Sequence, residues 1–191
     1  MKLKIISLLI VLILGTHLID FMKTNNKYEI LQVDKDLSDY SQYFKEKLPI
    51  IFTNRPYIRD LMSSLSIVNR DKKNIQLKQG HFAYHNKDRM FILSNSDNVE
   101  LTLIAPDQIK NFKSVSHDFD NLNIKIAKTN KYTSIKIKLY RDNIVSIPRY
   151  WLFSISNNSG FNIYYSDTIF TFIFTIYQIF PFLLKKVYKK R

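Results

Sequence analysis

The sequence has no cysteine, and it has only three glycines and four histidines among its 191 residues. Without thiols there can be no disulfide scaffold, thiolate zinc site, iron–sulfur cluster or cysteine nucleophile. Gly15, Gly80 and Gly160 stand far apart, which argues against glycine-rich phosphate loops and so against P-loop and dinucleotide folds. Chemistry is left to His17, His81, His85, His117, the carboxylates and the hydroxyls. The acids are scattered singly. They form neither a Ser-His-Asp arrangement nor a carboxylate pair, and His117 with Asp118 and Asp120 makes only a weak candidate for a metal loop.

What is present is a 46% hydrophobic, 24% charged composition, enough for one domain with a core. The chain carries 29 basic against 16 acidic residues. Eight of the basic ones lie at the two ends: Lys2, Lys4, Lys23, Lys185, Lys186, Lys189, Lys190 and Arg191. The middle is therefore only modestly positive. Lys125, Lys128, Lys131, Lys136 and Lys138 alternate with isoleucines and Leu139, as in the wet face of a hairpin whose other face is core. No recognition motif accompanies them, so no nucleic-acid partner is expected.

Residues 5–19 are nearly unbroken hydrocarbon, and the run reaches 18 residues when taken on to Met22. At about 1.5 Å per residue that just crosses a bilayer core. A cleaved signal peptide and a buried helix are the competing readings, but no small-x-small cleavage signature follows. Residues 1–24 are therefore expected to be an uncleaved single-pass membrane anchor, of undetermined orientation because lysines flank both sides. Residues 168–184 form a second apolar run, either a last core strand with a packed helix or a second membrane contact. The basic tail after it could meet anionic headgroups or be solvated.

Between the ends, residues 28–33 and 49–53 read as short strands. A helix from Ser38 past Phe44 and another over Tyr57–Leu65 are expected. Beyond them, strands are expected over 75–78, 89–94, 99–104, 121–128, 132–139, 144–147, 151–156 and 161–166, separated by Asn- and Asp-rich turns. Many short strands at regular spacing mean a sandwich or barrel. One domain is read from 25–191. Asn157-Asn158-Ser159 is a glycosylation sequon in a predicted turn, usable only in a secretory lumen.

Two stretches, taken together, carry a resemblance. Residues 139–155 include Ile147-Pro148 and Tyr150-Trp151, and residues 83–108 run from Ala83-Tyr84-His85-Asn86 to Ala105-Pro106-Asp107-Gln108. In that order they resemble the cupin-like, JmjC-type double-stranded β-helix of the iron- and 2-oxoglutarate-dependent hydroxylases, especially the asparaginyl-hydroxylase branch. Pro49 and the apolar residues after it are similar to that family's early strand. The resemblance spans roughly residues 38–170 and is most specific at Ile147–Trp151.

The resemblance implies a mainly β fold: a double-stranded β-helix, or cupin-like jelly roll, with a few flanking helices behind the N-terminal transmembrane helix. It also implies where an iron site would lie. Counted without gaps from Pro106, the family's His-x-Asp pair falls on Tyr84 and Asn86, its second His on Phe153, and its cosubstrate-anchoring basic residue on Val99. A phenyl ring cannot ligate, an amide replaces a carboxylate poorly, and a neutral phenol titrates near 10. A register slip of one would offer His85, but with Lys87 in the acid's place. His81 and His85 otherwise read as ordinary polar residues near a strand start, and Tyr150 and Trp151 as core residues whose polar tips find partners.

The expectation is a membrane-anchored pseudoenzyme without metal or cofactor, acting as a binding or structural module with a protein partner, of a surface or virion type. A hydroxylase with a non-standard ligand set is one alternative. A small integral membrane protein embedded at both ends is another.

Overall fold

The computed structural model of the chain describes residues 2–34, 40–53, 68–73, 77–78, 80–117, 122–156 and 161–167. The expected helix over Tyr57–Leu65, the Ser38 cap, the sequon, Asp118 and Asp120, and everything after Asp167 lie outside them.

The apolar N-terminal run forms α1 (Lys2–Met22), 21 residues long. Its described apolar side chains are exposed, Leu8 at 62% and Val11 at 66% among them. Among the residues whose side chains are described, no helix is long and apolar enough to cross a membrane. Residues 2–4, 10, 17, 20 and 21 of α1 are not in that set.

The rest of the described chain is mainly β. It comprises β1 (Leu31–Val33), α2 (Ser41–Lys45), β2 (Ile50–Phe52), β3 (Val68–Lys73), β4 (His81–His85), β5 (Arg89–Ser94) and β6 (Val99–Ile104). A 3-10 turn at Pro106–Asn111 precedes β7 (Phe112–His117), β8 (Leu122–Ala127), β9 (Ile135–Leu139), β10 (Ile144–Pro148), β11 (Leu152–Ile155) and β12 (Phe161–Asp167). Helix α2 is shorter than the sequence implies. Lys47 takes a left-handed φ of 53°, and its N–H donates back to Phe44 O at 3.3 Å, which ends the helix.

The strands form two six-stranded sheets, ordered β1-β2-β10-β5-β12-β3 and β7-β8-β4-β11-β6-β9. The first has one parallel pair, β1 with β2. Facing side chains of both sheets make the main core, including Met90, Ile92 and Val145 from the first and Leu101, Leu103 and Phe153 from the second. Each sheet also has a covered outer face. On the first, Tyr40 and Phe44 pack on Phe52 and Phe91 with rings edge-on. On the second, Phe82, Phe112 and Tyr132 cluster.

Several expectations need correction. Strands β8 and β9 are not a hairpin: β8 pairs with β4 and β7, β9 pairs with β6, and three strands lie between them. The alternation itself is real on β9, where Lys136 and Lys138 are exposed between half-buried Ile135 and Ile137. His117 is the last residue of β7 and not part of a loop. Residues 77 and 78 are not strand, whereas 68–73 are.

Candidate functional site

The positions picked out by the family resemblance are spread over three environments. Phe153 is fully buried on β11, directly between Ala83 of β4 and Leu103 of β6. Val99 is fully buried too, but it stands at the far end of β6, four residues from Leu103, or about 13 Å along the strand. Tyr84 does not face this interior. Successive strand residues point to opposite faces, and Tyr84 packs with the Phe82 cluster outside the second sheet while Ala83 belongs to the main core.

The inward residue next to Ala83 is therefore His85, at the end of β4 and completely buried. It is no ordinary polar residue at a strand start. Its ring Nε2–H donates to Ile147 O at 3.1 Å. Burial, and then the charges of Arg149 and Arg89, push its pKa down to about 3 against the raising effect of that carbonyl. The ring is thus neutral in the physiological range. Two residues on is Lys87, also buried.

These groups gather where the chain changes sheets. Residues 86–88 carry it from β4 to β5, and residues 149–151 from β10 to β11. The two corners touch, with Tyr150 N donating to His85 O at 3.3 Å. Within the second corner Trp151 N reaches Pro148 O at 3.4 Å, and Tyr150 adopts a left-handed φ of 66°. That conformation is uncommon for a bulky side chain and marks a tightly determined turn. Asn86, at the start of the first corner, is half-buried.

Ile147 and Pro148 end β10 in a buried position. Trp151 is wholly buried in the main core, but its indole N–H has no hydrogen-bond partner among the described residues, contrary to expectation. Tyr150 is half-buried, not core. Its ring lies under the Arg149 guanidinium at 4.4 Å and tilts against Tyr84 at 6.0 Å, and Lys125 stands 5.4 Å over the Tyr84 ring. Burial raises the pKa of both phenols, so each stays protonated and neutral.

On the other side of the corner, outside the first sheet, lies a cleft of about 60 Å³ with Lys23, Lys47, Asp88, Arg89 and Arg149 in its wall. Arg89 forms its back. Buried at 3% exposure, its guanidinium donates to Phe44 O, to Leu48 O at 3.4 Å and to the Ser146 hydroxyl at 3.1 Å, and stands 4.6 Å over the Phe44 ring. Burial lowers its pKa to about 10, opposed by neighbouring Asp88, so it remains a cation. Burial also lowers that of Arg149, opposed by Tyr150 and Asp88. The front of the cleft is held by two contacts across the sequence: Lys47 Nζ donates to Lys23 O at 3.2 Å, and Asn25 Nδ2 to Glu46 O at 2.8 Å.

This site was not visible in the sequence, because its charges come from four separate segments. A partial signal was there in Asp88-Arg89 and Arg149, charged residues placed against strand ends. Among the described residues no three His, Asp or Glu side chains come together as metal ligands. No family model matches the chain, and no curated protein matches it.

Proposed function

We propose that the chain is a membrane-anchored, catalytically degenerate cupin-like domain that acts as a binding or structural module for a protein partner. Strand order supports the cupin-like part. Strands β10-β5-β12-β3 run together in one sheet and β4-β11-β6-β9 in the other, and β3 to β6 and β10 to β12 alternate between the sheets. Such alternation is expected of a double-stranded β-helix, with β1, β2, β7 and β8 added at the edges, and it supports that reading. The anchor rests on α1, whose 21 residues give about 31 Å, close to a hydrocarbon core.

One observation carries the loss of chemistry. Where an iron-binding triad would converge, Phe153 faces Ala83, and the inward His85 is a neutral ring under the fields of Arg89 and Arg149. A ferrous ion needs carboxylate and imidazole donors with open positions; here it would meet one imidazole, hydrocarbon and cations. The residues present do not fit the metal. The hydroxylase reading draws only on His85 facing inward, with Lys87 where its carboxylate should be.

The test is thermal melting of the full chain in nonionic micelles with manganese, 2-oxoglutarate, or both. A ligand present at 100 times its Kd adds about 2.7 kcal/mol to a native state that alone binds it. No joint shift is expected. A reproducible joint rise in the melting midpoint would overturn the degenerate reading in favour of a hydroxylase. For the anchor, the full chain should stay with membranes through alkaline carbonate extraction, and a chain lacking residues 1–24 should not. Retention of the shortened chain would point to a second membrane contact within 168–184.

A further inference from the structure

We propose that β9 is a docking edge, to which a partner protein adds an extended segment of alternating acidic and apolar residues as a new outermost strand of the second sheet. This rests on the reading of the domain as a module for a protein partner, and it names the surface used and the chemistry the partner brings.

The four strands that end the two sheets differ in how well they accept a neighbour. An end strand aims backbone N–H and C=O groups outward, and proteins blunt such edges by making them short, bulged or charged. Strand β1 has three residues. The ladder of β7 is broken by a register shift between Ser114 and Ser116. Strand β3 carries Arg70, Asp71, Lys72 and Lys73 in succession, so charge falls on both of its faces. Strand β9 has none of these interruptions. It pairs in unbroken antiparallel register with β6, from Ile135 opposite Leu103 to Leu139 opposite Val99, and among the described residues β6 is its one neighbour.

The two faces of β9 define what an added strand must carry. On the inner face Ile135 and Ile137 pack against the main core yet stay only half-buried, so apolar side chains beside them would complete their cover. On the outer face Lys136 and Lys138 are exposed. Lys138 lies opposite Glu100 on β6, whereas Lys136 lies opposite the uncharged Thr102. Acids on an added strand would oppose both lysines from the free side. A second copy of the chain is the poorer occupant, because two β9 strands paired about a two-fold axis set lysine opposite lysine. The net charge of +13 likewise favours an acidic partner. The lysines thus guard the edge against self-pairing while leaving it open to an acidic strand. In strand addition the backbone pairing supplies affinity, and the alternate side chains supply the selection.

The experiment titrates a dye-labelled peptide of repeated Glu-Val pairs with the full chain in maltoside micelles and follows fluorescence anisotropy. Saturable binding is expected, with slowed hydrogen exchange at the backbone amides of 135–139 and none at β7. The double variant Lys136→Glu with Lys138→Glu should weaken binding by about ten-fold or more, since like charges then face each other. The same variant should gain saturable binding of a Lys-Val peptide that the unmodified chain does not bind, an exchange of preference that a merely structural role for the lysines would not produce. N-methylation of alternate residues of the Glu-Val peptide keeps its charge but removes its backbone donors, and should abolish binding. No saturable binding by the unmodified chain would overturn the proposal. Binding that survives N-methylation, or that the charge exchange leaves unchanged, would overturn it as well. None of these readouts involves manganese or 2-oxoglutarate, so failure here and failure of the degenerate cupin reading are told apart.

Discussion

The middle of the sandwich and its corner end lie a few residues apart on the same strands, yet they are built from opposite chemistry. At the middle, Ala83, Leu103 and Phe153 join Met90, Ile92 and Val145 in one hydrophobic cluster. At the corner, His85, Lys87, Arg89 and Arg149 are all buried. The difference teaches what buried polarity is for in this fold. In the middle the backbone groups are paired by the ladders. Where the chain turns, the ladders stop: β2 pairs with β10 only as far as Ser146, and the next carbonyl, Ile147 O, accepts from His85. Likewise the last carbonyls around α2, Phe44 O and Leu48 O, accept from Arg89. Buried backbone acceptors need donors, and these side chains supply them. Such a role requires no metal and no catalysis.

The contrast can be broken from either side. The largest effect belongs to the dry middle: Trp151→Ala removes the largest wholly buried side chain and should cost about 3–5 kcal/mol, seen as a collapse of the urea midpoint. Arg89→Met comes next. It keeps much of the volume but takes one donor away from two carbonyls and from Ser146, costing about 3 kcal/mol. Arg89→Lys, which restores charge without the fork, should recover only part of that. If Arg89→Met proved neutral, the corner would be no more than a tolerated intrusion.

Per pH unit, a smaller effect is expected from acid. His85 titrates near 6.5 when unfolded and at about 3 when folded. Between those values the unfolded chain binds a proton that the native state refuses. Its contribution is intact above about pH 6.5 and is lost as pH falls, by up to about 1.4 kcal/mol per pH unit. His85→Gln keeps a donor for Ile147 O and should flatten the acid limb of the stability curve, measured by urea titration at stepped pH. An unchanged limb would place the acid sensitivity elsewhere. The smallest effect is on the far edge, where Lys136→Ala and Lys138→Ala on exposed β9 positions should each stay within about 0.5 kcal/mol.

Much of the strand pattern was legible in the sequence, since a half-buried strand writes its faces in alternation, as β9 does with Ile135, Lys136, Ile137 and Lys138. Strands that escaped notice had other reasons to be strands. Strand β3 reads Val-Asn-Arg-Asp-Lys-Lys and is held at the edge of its sheet by six paired positions on β12. Strand β4 is covered on both faces, Phe82 on one side and Ala83 and His85 on the other, so no alternation shows. Counting from Pro106 without gaps put Tyr84 in an inward place that belongs to His85, because spacing in sequence does not reveal which face of a strand is covered. The cleft was the least legible feature. Its cations are far apart in sequence, and only the pairing of β10 with β5 sets Pro148 opposite Arg89.

The contacts that fasten residues 23–25 to the turn after α2 have a mechanical consequence. Tension on α1 does not travel along a slack tether to β1. It first loads the Lys47 to Lys23 and Asn25 to Glu46 hydrogen bonds in shear, and from there passes through α2 into Arg89 and β5. The segment after the helix is thus bracketed to the turn after α2, and α2 packs on the outer face of the first sheet.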